Sequence, residues 1–197
     1  MSKKAIIALT FCAIVTLIGK TTYCMSFNLT SSQMNEAIEY GKKNRRTSLK
    51  EFIKPWVVYL GEKTGWGTLY TAYHNVAFKA RKAAIERREL SQGEILRALR
   101  IKESMTFTVS VFGDYMEFAR GYNAILYSKD KTIYPVYAYL PDHAEPSAFY
   151  PDSPLYVAGC VYKFPIKDID PNSEATLLVT SPEGERFKFV FELAKMK

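Results

Sequence analysis

The period of the apolar residues changes near residue 104, and this change constrains the fold more than any other feature. Met105, Phe107, Val109 and Val111 alternate with Thr106, Thr108 and Ser110. Successive side chains of an extended chain point to opposite faces, so the pattern predicts a strand with one buried and one solvated face. Upstream the spacing is helical: Leu69, Tyr73, Val76, Ala77, Ala80 and Ala84 recur at three- and four-residue intervals. The alanines would let such a helix approach a sheet closely, with Lys79, Lys82 and Glu86 on another face. The chain therefore reads as α+β, mainly helical over 25–103 and mainly β over 104–197.

Local signals place the other elements. Thr30-Ser31-Ser32-Gln33 and Ser91-Gln92-Gly93-Glu94 are capping boxes, each opening a helix by satisfying its first backbone donors. The first helix carries Met34, Ala37 and Ile38 and is expected to stop at Gly41. The second capping box leads into Ile95, Leu96, Leu99 and Ile101. Trp56 to Leu60 predicts a strand, and Gly61 to Gly67 reads as a turn around Trp66. Further strands are expected at 122–127, 132–140, 155–164, 175–180 and 186–193, the last two joined by Ser181-Pro182-Glu183-Gly184. Seven or eight short, mostly antiparallel strands at this spacing favour a β-sandwich, with the N-terminal helices against one face or open end.

Residues 1–24 have a different character. Lys3 and Lys4 precede a charge-free run from Ala5 to Gly19, and Lys20, Thr21 and Thr22 end it. A positive start, a short apolar stretch and a polar exit make a secretory signal peptide. The run is shorter than the roughly 20 apolar residues a spanning helix needs. An exported chain is expected, in the periplasm or outer cell envelope, with residues 25–197 as one domain. Cys24 leaves three alternatives open: cleavage with the signal, a bridge to Cys160, or lipidation that would tether the domain to a membrane. Tyr23 is bulkier than the residue that usually precedes a lipidated cysteine. Asn28-Leu29-Thr30 has the form of a glycosylation acceptor in a eukaryotic pathway.

The net charge of +7 is partly due to the signal. Without its three lysines, 24 Lys and Arg face 20 Asp and Glu; residues 25–103 hold 15 basic and 8 acidic side chains, and 104–197 hold 9 and 12. The basic group Lys42, Lys43, Arg45, Arg46, Arg81 and Lys82, with Arg87 and Arg88, could face an anionic membrane or polysaccharide surface. Nucleic acid is not expected as a partner of an exported protein.

Two other places could carry chemistry. The 140–155 loop sets Asp142, His143, Glu145, Tyr150 and Asp152 among four prolines, and long loops in compact domains are often functional. Asp142, His143 and Glu145 offer oxygen and imidazole donors, although without the paired-histidine spacing of a specific metal motif. Trp66, between Gly65 and Gly67, could stack on a sugar or peptide. His74 has no partner indicated by its spacing, and Cys160 reads as a small buried residue in a strand. Gly-X-Ser-X-Gly, His-Glu-X-X-His, Cys-X-X-Cys and phosphate-binding glycine loops do not occur, so neither cofactor nor metal is expected.

Thr71-Ala72-Tyr73-His74-Asn75-Val76-Ala77, the alternating strand at 105–112, Ile133-Tyr134-Pro135 and Leu177-Leu178-Val179-Thr180-Ser181-Pro182-Glu183-Gly184 occur in that order. This arrangement over most of residues 50–197 resembles uncharacterised exported bacterial proteins with a β-sandwich core, of the kind grouped as domains of unknown function. The resemblance implies a bacterial envelope location and brings no catalytic residues. The leading expectation is a non-enzymatic envelope module that binds a partner. The alternatives are a metal-dependent or other hydrolase using the 140–155 loop, and a binder of anionic surfaces using the basic helical half.

Overall fold

A computed structural model describes residues 27–99 and 103–197. The expected signal peptide 1–24, with Cys24 and its alternatives, lies outside the described residues, as does Ile101. Four helices precede or interrupt the strands: α1 (Ser31–Lys43), α2 (Leu49–Ile53), α3 (Ala72–Ile85) and α4 (Gln92–Ala98). Both capping boxes form. The Thr30 amide donates to Gln33 Oε1 at 2.9 Å while Thr30 Oγ1 accepts from the Gln33 amide, and Ser91 and Glu94 repeat the exchange.

The expected stop at Gly41 is corrected. The helix continues to Lys43, and Gly41 is buried against α3. A Cβ at this position would lie 2.3 Å from the Ala77 carbonyl oxygen and 2.8 Å from Ala80 Cβ. The glycine serves helix–helix approach, which local sequence does not distinguish from a C-terminal stop. Behind this contact Ala37, Phe52, Trp56, Tyr73, Val76, Ala77 and Ala98 form a helical core of their own.

Among the described residues ten strands form two antiparallel sheets. The strands are β1 (Val57–Gly61), β2 (Gly65–Tyr70), β3 (Ser104–Gly113), β4 (Asn123–Ser128), β5 (Lys131–Ile133), β6 (Tyr137–Tyr139), β7 (Glu145–Pro146), β8 (Tyr156–Pro165), β9 (Glu174–Thr180) and β10 (Arg186–Glu192). The first sheet has the order β1-β2-β3-β8-β6, with β7 also on β8; the second has the order β10-β9-β4-β5. The fold is α+β with a sandwich core, as the sequence pattern implies.

The alternation in β3 carries the core. Met105, Phe107, Val109 and Val111 are at most 2% exposed and face Leu126, Leu177, Val179, Phe189 and Phe191 of the second sheet. Phe107 meets Phe191 at 5.1 Å in an edge-to-face contact, and truncating either ring would cost about 3–5 kcal/mol.

Two strand assignments are corrected. Gly65-Trp66-Gly67, expected within a turn, opens strand β2, and Leu69 belongs to the sheet core instead of a helix face. Gly67 is needed there because a Cβ would press on the Phe189 and Phe191 rings at 3.0–3.2 Å. The expected strand at 132–140 divides into β5 in the second sheet and β6 in the first. The chain changes sheets through Tyr134-Pro135-Val136, where proline cannot donate to a ladder. The helical layer joins the sandwich at Lys197, whose main-chain oxygen accepts from Trp56 Nε1 at 2.9 Å and Thr71 Oγ1 at 2.7 Å.

Candidate functional site

The outward face of the first sheet should be polar by the logic of alternation, and in β3 it begins so. Thr106, Thr108 and Ser110 point away from the core and are half-buried. Phe112 continues the same face and breaks the pattern. It lies 5.8 Å from the ring of Trp66, because β2 pairs directly with β3 and sets Trp66 opposite Ser110. Trp66 is opposite Tyr59 in the β1–β2 ladder, with ring centroids 6.3 Å apart. On the other side Phe112 meets Phe149 of the 140–155 loop at 5.9 Å.

Four aromatic rings from four segments thus form one row, Tyr59–Trp66–Phe112–Phe149. Adjacent rings are tilted by 41°, 63° and 60°, so the row is corrugated and not flat. Tyr59 is 45% exposed and the other three are half-buried. A lysine caps each end: Lys50 Nζ is 5.7 Å from the Tyr59 ring centroid, and Lys63 Nζ is 5.0 Å from that of Phe149. Ammonium groups held over aromatic faces in this way bring positive charge to the row without neutralising it.

The 140–155 loop is pinned by its backbone. The Ser147 amide donates to the Leu155 carbonyl at 2.8 Å, and Ser147 Oγ donates to the Pro154 carbonyl. Leu155 N donates to Asp114 Oδ1 at 3.2 Å, and Lys63 Nζ to the Ser153 carbonyl at 2.9 Å. These bonds present Phe149 to the sheet. The loop residues singled out from sequence behave differently. Asp142, His143, Glu145, Tyr150 and Asp152 are all exposed. His143 Nε2 lies 3.9 Å from Glu117 Oε1, Asp142 offers its carbonyl to Arg120 Nε at 3.2 Å, and Glu145 pairs with Val157 in the ladder. Among the described residues no three His, Cys, Asp or Glu side chains gather at a single metal-binding point.

The basic residues separate into engaged and unengaged groups. Arg81 donates to the carbonyls of Asn44 and Thr47 and lies 5.1 Å over Phe52; Lys42 pairs with Glu39, and Lys82 with Glu86. Arg88 reaches Glu86 and Glu94 at 2.7 and 2.8 Å, and its bonds hold the Glu94 carboxyl down at about 2. Arg46 and Arg87 make no ion pair with the described residues and line one cavity of about 370 Å³ with Ala84, Ile85 and Arg45, which gives one nitrogen to the Lys42 carbonyl at 3.3 Å.

The remaining reactive types are internal. Cys160 lies on the inner face of β8 without exposure, and burial pushes its thiol up to about 11, which suppresses the reactive thiolate. His74 is enclosed by aromatic rings on α3. Of the residues read from sequence, Trp66 is placed in the aromatic row, and Arg45 and Arg46 are placed together on one cavity. Phe149 belongs to the 140–155 loop that the sequence marks as distinctive, and Phe112 is legible as a large ring on the hydroxyl-bearing face of an alternating strand; Tyr59 carries no such signal.

No family model matches the chain, and no curated protein is similar to it in sequence. Among solved structures it is similar to the archaellum periplasmic stator protein FlaG from Sulfolobus acidocaldarius, at 10% identity over 45% of this chain and 86% of that one, with a TM-score of 0.32. A chain in the complex of FlaF and FlaG from the same organism gives 9% identity, 45% and 77% coverage, and a TM-score of 0.32. So partial a likeness assigns neither family nor function.

Proposed function

We propose that this chain is an exported, non-enzymatic module of the cell envelope that binds a saccharide chain along the Tyr59–Trp66–Phe112–Phe149 row. The observation that carries the reading is Phe112, placed on a hydroxyl-bearing sheet face and aligned with three other rings. Aromatic faces stack on the apolar faces of sugar rings, and neighbouring hydroxyls satisfy the sugar's own. Thr106, Thr108 and Ser110 supply such hydroxyls on the same face of β3. The tilt between rings suits a chain whose successive units are rotated. Lys50 and Lys63 favour acidic sugars over neutral ones.

Export is supported by the apolar segment at 5–19 and by the resemblance to exported bacterial sandwiches. The divergence of Asp142, His143 and Glu145 favours binding over hydrolysis by the loop.

The test is binding of the purified protein to a panel of neutral and acidic polysaccharides. Trp66→Ala is expected to weaken the retained polysaccharide at least about tenfold, the scale of a lost aromatic anchor, with the circular dichroism spectrum unchanged. Retained affinity in a folded Trp66→Ala protein would rule out the row as the binding surface.

A further inference from the structure

A second surface lies in the helical layer. It begins with the end of α3. Glu86 caps the helix, Arg87 follows with φ +56°, and the amides of Arg87 and Arg88 donate to the carbonyls of Ala84 and Ala83 at 3.4 and 3.0 Å. This is a Schellman closure, in which the left-handed residue is usually glycine because a Cβ is disfavoured there. Here the position holds an arginine. The backbone gains nothing from that side chain, which directs attention to what the guanidinium faces.

It faces a cavity of about 370 Å³ shared with Arg45, Arg46, Ala84 and Ile85. Arg45 and Arg46 follow the end of α1, which packs alongside α3 through Gly41. All three arginines are exposed, and three guanidinium groups around one cavity raise its positive potential. The exposed carbonyls of the helix ends do not account for all three. Asn44 and its amide serve the Tyr40 carbonyl, Arg81 serves those of Asn44 and Thr47, and Arg45 uses one nitrogen on the Lys42 carbonyl at 3.3 Å. Two nearby carboxylates, Glu86 and Glu94, are committed to Arg88. Arg46 and Arg87 make no ion pair with the described residues, and Arg45 keeps most of its five donors.

We propose that this cavity binds a phosphate group, held by Arg45, Arg46 and Arg87. Guanidinium forks match phosphate oxygens in geometry and charge, and three of them supply enough donors to enclose one such group. The phosphate has two sources, a free phosphorylated solute or a phospholipid headgroup. Ile85, 53% exposed at the cavity edge, offers an apolar contact to the second.

The experiment is thermal unfolding of the purified protein in millimolar inorganic phosphate against sodium chloride of equal ionic strength, alongside sedimentation with phosphatidylglycerol or phosphatidylcholine vesicles. Phosphate at tenfold excess over Kd is expected to raise Tm by about 3–5 °C beyond chloride. Arg87→Gly is the deciding variant. It relaxes the left-handed backbone, so the ligand-free Tm should rise, while the phosphate increment and any phosphatidylglycerol binding are lost. Arg46→Gln should lose the increment without gaining stability. A phosphate response without vesicle binding supports the free-solute source, and selective phosphatidylglycerol binding supports the headgroup. Equal behaviour in phosphate and chloride with no vesicle selectivity overturns the proposal. So does an increment that survives in Arg87→Gly, because general salting-out stabilisation would persist there.

Discussion

At His74 the imidazole is 3% exposed, set edge-on to Trp56 and Tyr70 at 4.8 Å and stacked on Phe78 at 6.0 Å. Burial pushes it down to about 4, against the opposing pull of a 3.2 Å contact with Asn75 Oδ1. The unfolded chain takes up this proton near pH 6.5, whereas the folded chain does so only near 4. Between these values the unfolded state binds more protons, so stability is full above the window and falls as pH drops through it. The integrated loss is about 3 kcal/mol. Urea unfolding at pH 7 and pH 4.5 should show the wild type losing about 2 kcal/mol more than His74→Gln, which lacks the titrating group. Equal losses would mean that the cage does not hold the imidazole neutral. Tyr70 and Phe78 stand four residues to either side of His74 in the sequence, but Trp56, which closes the cage, reaches it from a distant element.

Helix α1 depends on an absent side chain. Gly41→Ala gains intrinsic helix propensity of up to about 1 kcal/mol, yet the new methyl meets the Ala77 carbonyl and the Arg81 amide of α3. Overpacking against backbone costs about 1–3 kcal/mol, so a net loss of about 1–2 kcal/mol is expected in denaturant unfolding. Gly93→Ala in α4 has open space, with only the end of Arg97 at 3.6 Å, and should instead gain up to about 1 kcal/mol. Opposite signs for the same chemical change would establish that contact between helices, rather than local propensity, sets the value of Gly41. Elements whose cause is local were readable: the two capping boxes, the alternation in β3, and the Ser181-Pro182-Glu183-Gly184 hairpin, where Gly184 has φ +88°. Elements whose cause is distant were not. Gly65-Trp66-Gly67 has the chemistry of a turn and becomes a strand because β1 and β3 pair on either side and Phe189 and Phe191 require a small residue beneath them. The two-sheet path around Pro135 was likewise hidden, because β5 and β6 are each defined by a partner strand far along the chain.

On the scale of the whole molecule, a sandwich with its own core carries a helical layer with a second core, and each presents a candidate surface. The helical layer exposes three arginines around a cavity, and the first sheet with the 140–155 loop carries four aligned, partly exposed rings. The aromatic row draws on residues 59, 66, 112 and 149, and only folding makes them neighbours. Trp66 could be suspected from its flanking glycines, while Asp142, His143 and Glu145 shared a loop in sequence without converging in space. The molecule contains two tryptophans, which makes the central claim directly measurable. Trp56 is 1% exposed and donates its indole N–H to Lys197, whereas Trp66 lies in the row. In a two-dimensional 15N spectrum, titration with an acidic oligosaccharide should move the Trp66 indole resonance and leave that of Trp56 in place. A stationary Trp66 resonance under conditions where the oligosaccharide demonstrably binds would contradict the account.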